Sequence, residues 1–310
     1  MDSPALTVSA AVRAQLGISW SKAKQLCTEG RVTVDGERCL DPARLILKAN
    51  VVTVDRFAPK VEKGPLSRDA IVYADKDFVV CNKPAGMLSV ADVEGNKDTL
   101  ADHMRTLLRR VEGKDGHDVP LGVVHRIDRD TSGLIVFTRS PLAHRMLAEA
   151  FQEHDIERLY HGIAHGEVHE ERVETSLLLD RGDGLRGSFG YFRRSAEEPP
   201  EEAKRSVTFI KPLEALNGAT LVECRLHTGR QHQIRIHLSE LGHPLVGEKV
   251  YIREYTAQKI EAARTMLHAR MLSFAHPRTG KAMSFERPSP EDMAAIAAKL
   301  RGSQAPVKDA

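Results

Sequence analysis

The chain has only four cysteines in 310 residues and no C-x-x-C pair, so neither a disulfide framework nor a cysteine-based zinc site organises it. Cys27, Cys39, Cys81 and Cys224 each have an apolar neighbour within two positions, and they read as reduced, mostly buried thiols of a cytoplasmic protein. No apolar run approaches the roughly 18 residues that a membrane-spanning helix needs. Met1-Asp2-Ser3-Pro4 lacks the basic and apolar regions of a secretion signal, so no membrane association is expected. Also missing are a P-loop and a G-x-G-x-x-G placed between a strand and a helix as a dinucleotide fingerprint requires. Lys83-Pro84-Ala85-Gly86 has too few glycines and no terminal Lys-Ser/Thr, and reads as a structural turn. Nor is there an excess of one charge: 45 Lys and Arg against 43 Asp and Glu give +2, so any nucleic-acid binding must rest on clustered charge. The sequence contains no internal repeat.

Fourteen histidines raise the question of a metal. His161, His165 and His169 recur at a spacing that suits zinc on a helix, but Gly162, Gly166 and their neighbours favour a strand. On a strand, neighbouring members of that set lie about 13 Å apart, too far to share an ion. His227, His232 and His237 recur every five residues, which fits no zinc motif. No metal and no cofactor is expected.

Charge is instead concentrated in two places. His125-Arg126-Ile127-Asp128-Arg129-Asp130-Thr131-Ser132-Gly133 crowds cations and carboxylates between Val123-Val124 and the apolar run 134–137. An acid that must react as an anion inside a cleft needs guanidinium groups beside it, and the same groups grip phosphate. The plain alternative is a solvated turn with surface ion pairs. The second place is His227-Thr228-Gly229-Arg230-Gln231-His232-Gln233-Ile234-Arg235-Ile236-His237, which follows the apolar stretch 220–224 and reads as strand, glycine turn and a short helix ending near Gly242. Arg225, Arg230 and Arg235 stand there without an acid, so an anion is expected at the helix start.

Together these two stretches resemble the RluA-type RNA pseudouridine synthases. Asn82-Lys83-Pro84-Ala85-Gly86 matches that family's opening motif, Arg158-Leu159-Tyr160 its tyrosine segment, and Leu267-His268-Ala269-Arg270 with Phe274-Ala275-His276-Pro277 its late motif. The matches are in order and span roughly residues 82 to 277. The resemblance implies an isomerase that converts uridine in structured RNA to pseudouridine without a cofactor, through a flipped base and an aspartate that acts as nucleophile at C1′ or assists glycal formation. In an extended segment Asp128 and Asp130 point to the same side, so spacing does not choose between them. The resemblance selects Asp128 as the catalytic acid, Arg235 as its arginine partner and Tyr160 as the ring that stacks on uracil. It also assigns Arg126 to the place that the flipped base vacates. Arg230 is an expected RNA contact.

Residues 1–57 resemble an S4-type RNA-binding module: a serine-capped helix from Ser19 to Gly30, then a strand entering an Asp35-Gly36 turn. Lys22, Lys24 and Arg31 are its expected phosphate contacts. Asp35 stands where such modules commonly have asparagine. Residues 58–70 read as a linker, 71–290 as the catalytic domain and 291–310 as a helix, Glu291 to Leu300, with a mobile polar tail from Arg301. Within the catalytic domain, 71–74 and 78–81 read as a hairpin, 97–112 and 140–154 as helices, 156–227 as mostly strands, and Arg181 to Pro200 as an exposed insertion or long loop. The fold class expected is α+β, with a mixed, mainly antiparallel sheet and flanking helices.

Three departures from the family pattern stand out: Ile127 for leucine, Gly162 for alanine and Glu248 for aspartate. Two other functions fit parts of the chain. An RNA-binding or RNA-folding protein would not need Asp128, Tyr160 and Arg235 together, and a nucleosidase or glycosidase has no use for the S4-like module. RNA is the expected partner, ribosomal rather than transfer RNA, with the protein acting as a monomer.

Overall fold

The computed structural model describes residues 6–39, 41–47, 50–56, 66–91, 98–113, 119–191 and 198–302. The chain divides into two units, Met1–Pro65 and Leu66–Ala310.

The first unit runs β1 (Leu6–Thr7), α1 (Val8–Leu16), α2 (Trp20–Thr28), β2 (Val32–Val34), β3 (Glu37–Arg38), β4 (Leu45–Ile46) and β5 (Val52–Val54). Thr7 and Ser19 cap the two helices through their side chains, and Gly17 and Gly30 end them in the left-handed conformation. The helices bury Val8, Val12, Ala23, Leu26 and Cys27 against Val32 and Val34, a core built from apolar residues at helical and strand spacing. Asp35 (φ 55°) and Gly36 (φ 83°) form the hairpin turn between β2 and β3. The Asp35 carboxylate accepts from the Val51 N–H at 2.8 Å and from Asn50 at 2.6 Å, so this departure from asparagine ties the turn to the entry of β5.

The second unit contains β6 (Ile71–Ala74), β7 (Phe78–Lys83), α3 (Leu100–Glu112), β8 (Gly122–Val123), β9 (Ser132–Thr138), α4 (Pro141–Gln152), β10 (Glu157–His165), β11 (Glu171–Leu178) and β12 (Gly187–Ser188). It continues with β13 (Lys204–Leu216), β14 (Ala219–Leu226), α5 (Gln233–Glu240), β15 (Leu267–Ala275), β16 (Ala282–Glu286) and α6 (Glu291–Gly302). The strands make one sheet in the order β12-β11-β13-β14-β10-β15-β9-β7-β6, with β16 on β15 and β8 on β9. The expected α+β class with a mainly antiparallel sheet is what the chain adopts, and β15 against β9 is the parallel pair that makes it mixed.

That parallel pair brings Gly133 opposite Ala269. Gly133 has φ 108°, and a Cβ there would lie 2.2 Å from the Ala269 carbonyl oxygen, so only glycine allows the approach. β7 and β9 are buried on both faces, which explains their unbroken apolar runs. Val79, Cys81, Ile135 and Phe137 meet Leu100, Met104 and Leu108 of α3, while Phe78, Val80, Leu134 and Val136 meet Leu147 of α4.

Several expectations need correction. Leu66 and Ala70 are buried in the core with α3, and 68–70 form a 3₁₀ turn, so the part of the expected linker after 65 is packed; 57–65 lie outside the described residues. The helix expected from 97 begins at Leu100, where Thr99 caps it. The span 181–200 is not simply an exposed insertion. Gly187 and Ser188 pair with β11, and the Glu240 carboxylate at the end of α5 accepts from the Ser188 N–H at 2.9 Å and from Arg181 at 3.2 Å. A polar residue some 50 positions away holds this segment, so no local periodicity announces it; 192–197 lie outside the described residues. Arg301 is not in a tail. It is in α6 and grips Glu214 with two hydrogen bonds, while Met293, Ala297 and Leu300 pack on Ile163 and Leu216. The tail expected from 303 onward lies outside the described residues. All four cysteines are free and buried.

Candidate active site

The loop 124–131 enters β9 next to the parallel junction, and several backbone groups on either side of Asp128 are held. The Ser89 hydroxyl donates to the Ile127 carbonyl at 2.7 Å and accepts from the Ile127 N–H at 3.3 Å. The buried Lys83 ammonium donates to the carbonyls of Pro84, Met87 and Arg129, and the Gly86 N–H also reaches Arg129. Lys83-Pro84-Ala85-Gly86 is thus a brace for the acidic loop, in keeping with the structural turn expected of it. Arg264 donates to the Asp130 carbonyl at 3.0 Å. His125 accepts from the Val136 N–H at 3.0 Å and stacks on Phe151; burial, then the charge of Arg158, pushes its pKa down to about 3, so the ring is a neutral acceptor.

The segment is a turn and not extended, with the Thr131 N–H bonded to the Asp128 carbonyl. The assumption that Asp128 and Asp130 share a side therefore fails. Asp130 is exposed, while Asp128 points into a cavity of about 350 Å³, within the usual range for a small-ligand site.

Arg235, on the first turn of α5, donates from Nη1 to the Asp128 carboxylate at 3.3 Å. Its other edge forms a fork with Glu248, Nε to Oε2 at 2.8 Å and Nη2 to Oε1 at 2.7 Å. Glu248 also accepts from the backbone N–H groups of Lys249, Val250 and Tyr251. Burial works to raise the Glu248 carboxyl, but Arg235 and these N–H groups outweigh it and hold it below the usual carboxylate range. For Arg235 burial likewise opposes the charge, and Glu248, then Asp128, raise its pKa above the ordinary arginine value. The expected anion at this helix start is therefore supplied by the protein itself, as two carboxylates far apart in sequence.

His232, at the N-cap of α5 with φ 62°, places Nε2 3.8 Å from Asp128 while its Nδ1 bonds the Tyr251 hydroxyl at 2.7 Å. Tyr251 in turn lies against the Arg235 guanidinium, 5.2 Å from carbon to ring centre. Sequence reasoning missed His232 and Tyr251 and saw Glu248 only as a departure. The signal available was the absence of any acid in 225–237, which left Arg235 needing a partner from elsewhere.

Tyr160 lies on the cavity wall, 7 % exposed, in the centre of the sheet, between Cys224 on one side and Ala269 on the other. Burial, with the Asp128 charge adding and Arg158 offsetting, pushes its phenol up, so it stays protonated at neutral pH. Arg126 is exposed at the cavity rim, and Arg230 lines the cavity with its Nε on the Arg205 carbonyl. The cavity thus brings together Asp128, Arg235, Tyr160, Arg126 and Arg230. Arg225 is elsewhere, over the Phe209 ring.

In the first unit Lys22 and Lys24 are exposed on α2. Arg31 is half-buried, paired with Glu29 at 3.2 Å and donating to the Arg56 carbonyl, so it braces the unit as well as carrying charge. Of the histidines, His161 and His165 are on β10 as a strand reading requires, and His165 bonds the Pro244 carbonyl and the Ile260 N–H. Asp75, Asp77 and His276 converge within 4.8 Å, but Arg278 grips Asp77 at 2.6 and 2.7 Å and Tyr73 bonds Asp75.

Residues 77–240 match the profile of the RNA pseudouridylate synthase family, and residues 10–52 match the S4 domain. A ribosomal large subunit pseudouridine synthase D from Zymomonas mobilis is 36% identical over 290 residues, covering 89% of this chain and 87% of the relative. An uncharacterized RNA pseudouridine synthase from Bacillus subtilis is 34% identical over 290 residues, covering 91% and 90%. Among solved structures, human RNA pseudouridylate synthase domain containing 4 superposes with a TM-score of 0.60 at 21% identity, over 75% of this chain and 93% of that one, a likeness of fold.

Proposed function

The chain belongs to the RNA pseudouridylate synthase family, and from that premise we propose that it modifies uridines of large-subunit ribosomal RNA with Asp128 as its nucleophile. The observation that carries the assignment of roles is the 3.3 Å contact of Arg235 with Asp128 inside a cavity walled by Tyr160. Pseudouridine formation breaks the bond from ribose C1′ to uracil N1, turns the base and joins C5 to C1′ as the carboxylate leaves C1′; C5 gives up its proton and N1 takes one up, so the overall change is an isomerisation. Asp128 attacks C1′, where a carboxylate is suited to an electron-poor sugar carbon. Arg235 keeps that carboxylate charged and aimed, and Glu248 with Tyr251 keeps Arg235 in place. The Tyr160 ring stacks on the uracil, and its protonated phenol is a donor at the base. A uridine in a stem reaches Asp128 only by leaving the stack, at a cost of a few kcal/mol. Arg126, planar and exposed at the rim, takes the vacated position.

The S4 match and relatives named for large-subunit synthases support ribosomal RNA over transfer RNA. The protein acts on it as a monomer in the cytoplasm. The test is to map pseudouridines in RNA from cells with and without the protein. Sites lost from large-subunit RNA are expected, and loss confined to transfer RNA would move the target.

A further inference from the structure

Arg158 is on β10, two residues before Tyr160, and so projects to the same side of the strand, into the same cavity. Its side chain is buried, with the residue 6 % exposed. One terminal nitrogen donates to the His227 carbonyl at 3.1 Å, and the guanidinium lies over the Phe151 ring at 5.5 Å. Among the described residues its Nε is buried without a hydrogen-bond partner, and it forms no ion pair. A buried charge left this way works against folding, so an arginine here needs another reason to be present. Burial first, with Arg230 in the same direction and Tyr160 against, lowers its pKa, yet an arginine remains charged at neutral pH.

More cationic and donor groups surround it. Arg230 lines the same cavity from the loop before α5. His154, another cavity residue, has a left-handed backbone (φ 65°), a buried Nδ1 without a partner, and a ring 4.8 Å from that of His227. The charges of Arg158, Arg230 and Arg205 all bear on His154, although Arg205 is itself paired with Glu174 at 2.6 Å. Elsewhere on the cavity wall Arg235 is matched by both Asp128 and Glu248. Positive charge is therefore more than matched around Asp128 and in excess around Arg158.

We propose that Arg158, with Arg230 and the His154–His227 pair, is a phosphate subsite that holds a backbone phosphodiester flanking the flipped uridine. This rests on the pseudouridine synthase reading and adds the group that anchors the nucleotide. A full negative charge answers this excess, whereas a uracil carbonyl, which is neutral, leaves it standing. With the phosphate held, the ribose is fixed between it and Tyr160, and C1′ is presented to Asp128.

The experiment measures binding of an unmodified large-subunit ribosomal RNA transcript to the full-length protein as a function of salt, for wild type, Arg158→Met and Arg158→Lys. Methionine has similar bulk and no charge. The expected result is a salt slope shallower by about 0.7 to 0.9 in Arg158→Met, restored in Arg158→Lys, with a melting temperature equal to or above that of wild type. An unchanged slope with lost turnover would mean that Arg158 touches the base and not a phosphate. A melting temperature many degrees lower would make Arg158 a core strut. Either result overturns the proposal. Failure of wild type to release tritium from uracil C5 would instead strike the synthase reading, and the slopes would remain interpretable by themselves.

Discussion

Arg235 faces two carboxylates at once, so truncating it to alanine removes the partner of Asp128 and leaves Glu248 buried without a cation. The expected consequences are loss of turnover and a stability loss of about 3–5 kcal/mol, measured by urea unfolding. Arg235→Lys keeps the charge but not the fork, and falls between wild type and alanine in both measurements. Stability equal to wild type in the alanine variant would contradict the pairing with Glu248. That pairing also shows where residue-level reading stops. Arg235 was legible from its motif, and Glu248 was visible only as a departure, because the contact joins positions 13 apart through a loop of no regular period. The choice of Asp128 over Asp130 rests on the resemblance, because spacing on an extended strand puts both on one side and misses the turn at Thr131 that separates them.

At the scale of elements, the parallel contact of β9 with β15 puts the acidic loop beside Tyr160, and Gly133 permits it. Gly133→Ala is expected to cost about 2–4 kcal/mol, seen as a lower melting temperature, and to slow turnover by displacing the loop. Normal stability would show that the backbone gives way more easily than a 2.2 Å approach suggests. In the first unit, replacing exposed Lys22 and Lys24 is expected to reduce the salt slope of RNA binding by up to about one unit per lost phosphate contact. Arg31→Ala is expected to lower the melting temperature as well, since Arg31 also ties Glu29 to the Arg56 carbonyl. Helices α2, α4 and α6 were legible from caps, proline and apolar spacing, as was the α5 turn from its glycine. β12 was not, because two residues held by a remote glutamate carry no pattern of their own.

For the whole molecule, acid stability follows from histidines held neutral inside it. Burial brings His125 down to about 3, and burial brings His237 and His268 down to about 4. In the unfolded chain these rings titrate near 6.5, so between that value and about 4 the unfolded state binds more protons. Their contribution is present in full above about pH 6.5 and is lost as pH falls through the folded values. Unfolding free energies from urea titrations are expected to drop steadily from pH 7 to 5, by roughly 2 kcal/mol for each ring, with a flat profile as the contrary result. Turnover is expected to survive EDTA, because the isomerisation conserves atoms and calls for no redox or phosphoryl input; activity that returned only on adding a metal would contradict this. The central claim, that Asp128 performs the chemistry while the surrounding groups bind and position, is tested most directly by Asp128→Asn. The measurement is tritium release from uracil C5 of large-subunit RNA alongside the RNA dissociation constant. The account predicts no release with affinity within about twofold of wild type, since asparagine keeps the volume and removes the nucleophile. Release at the wild-type rate from the asparagine variant would contradict it.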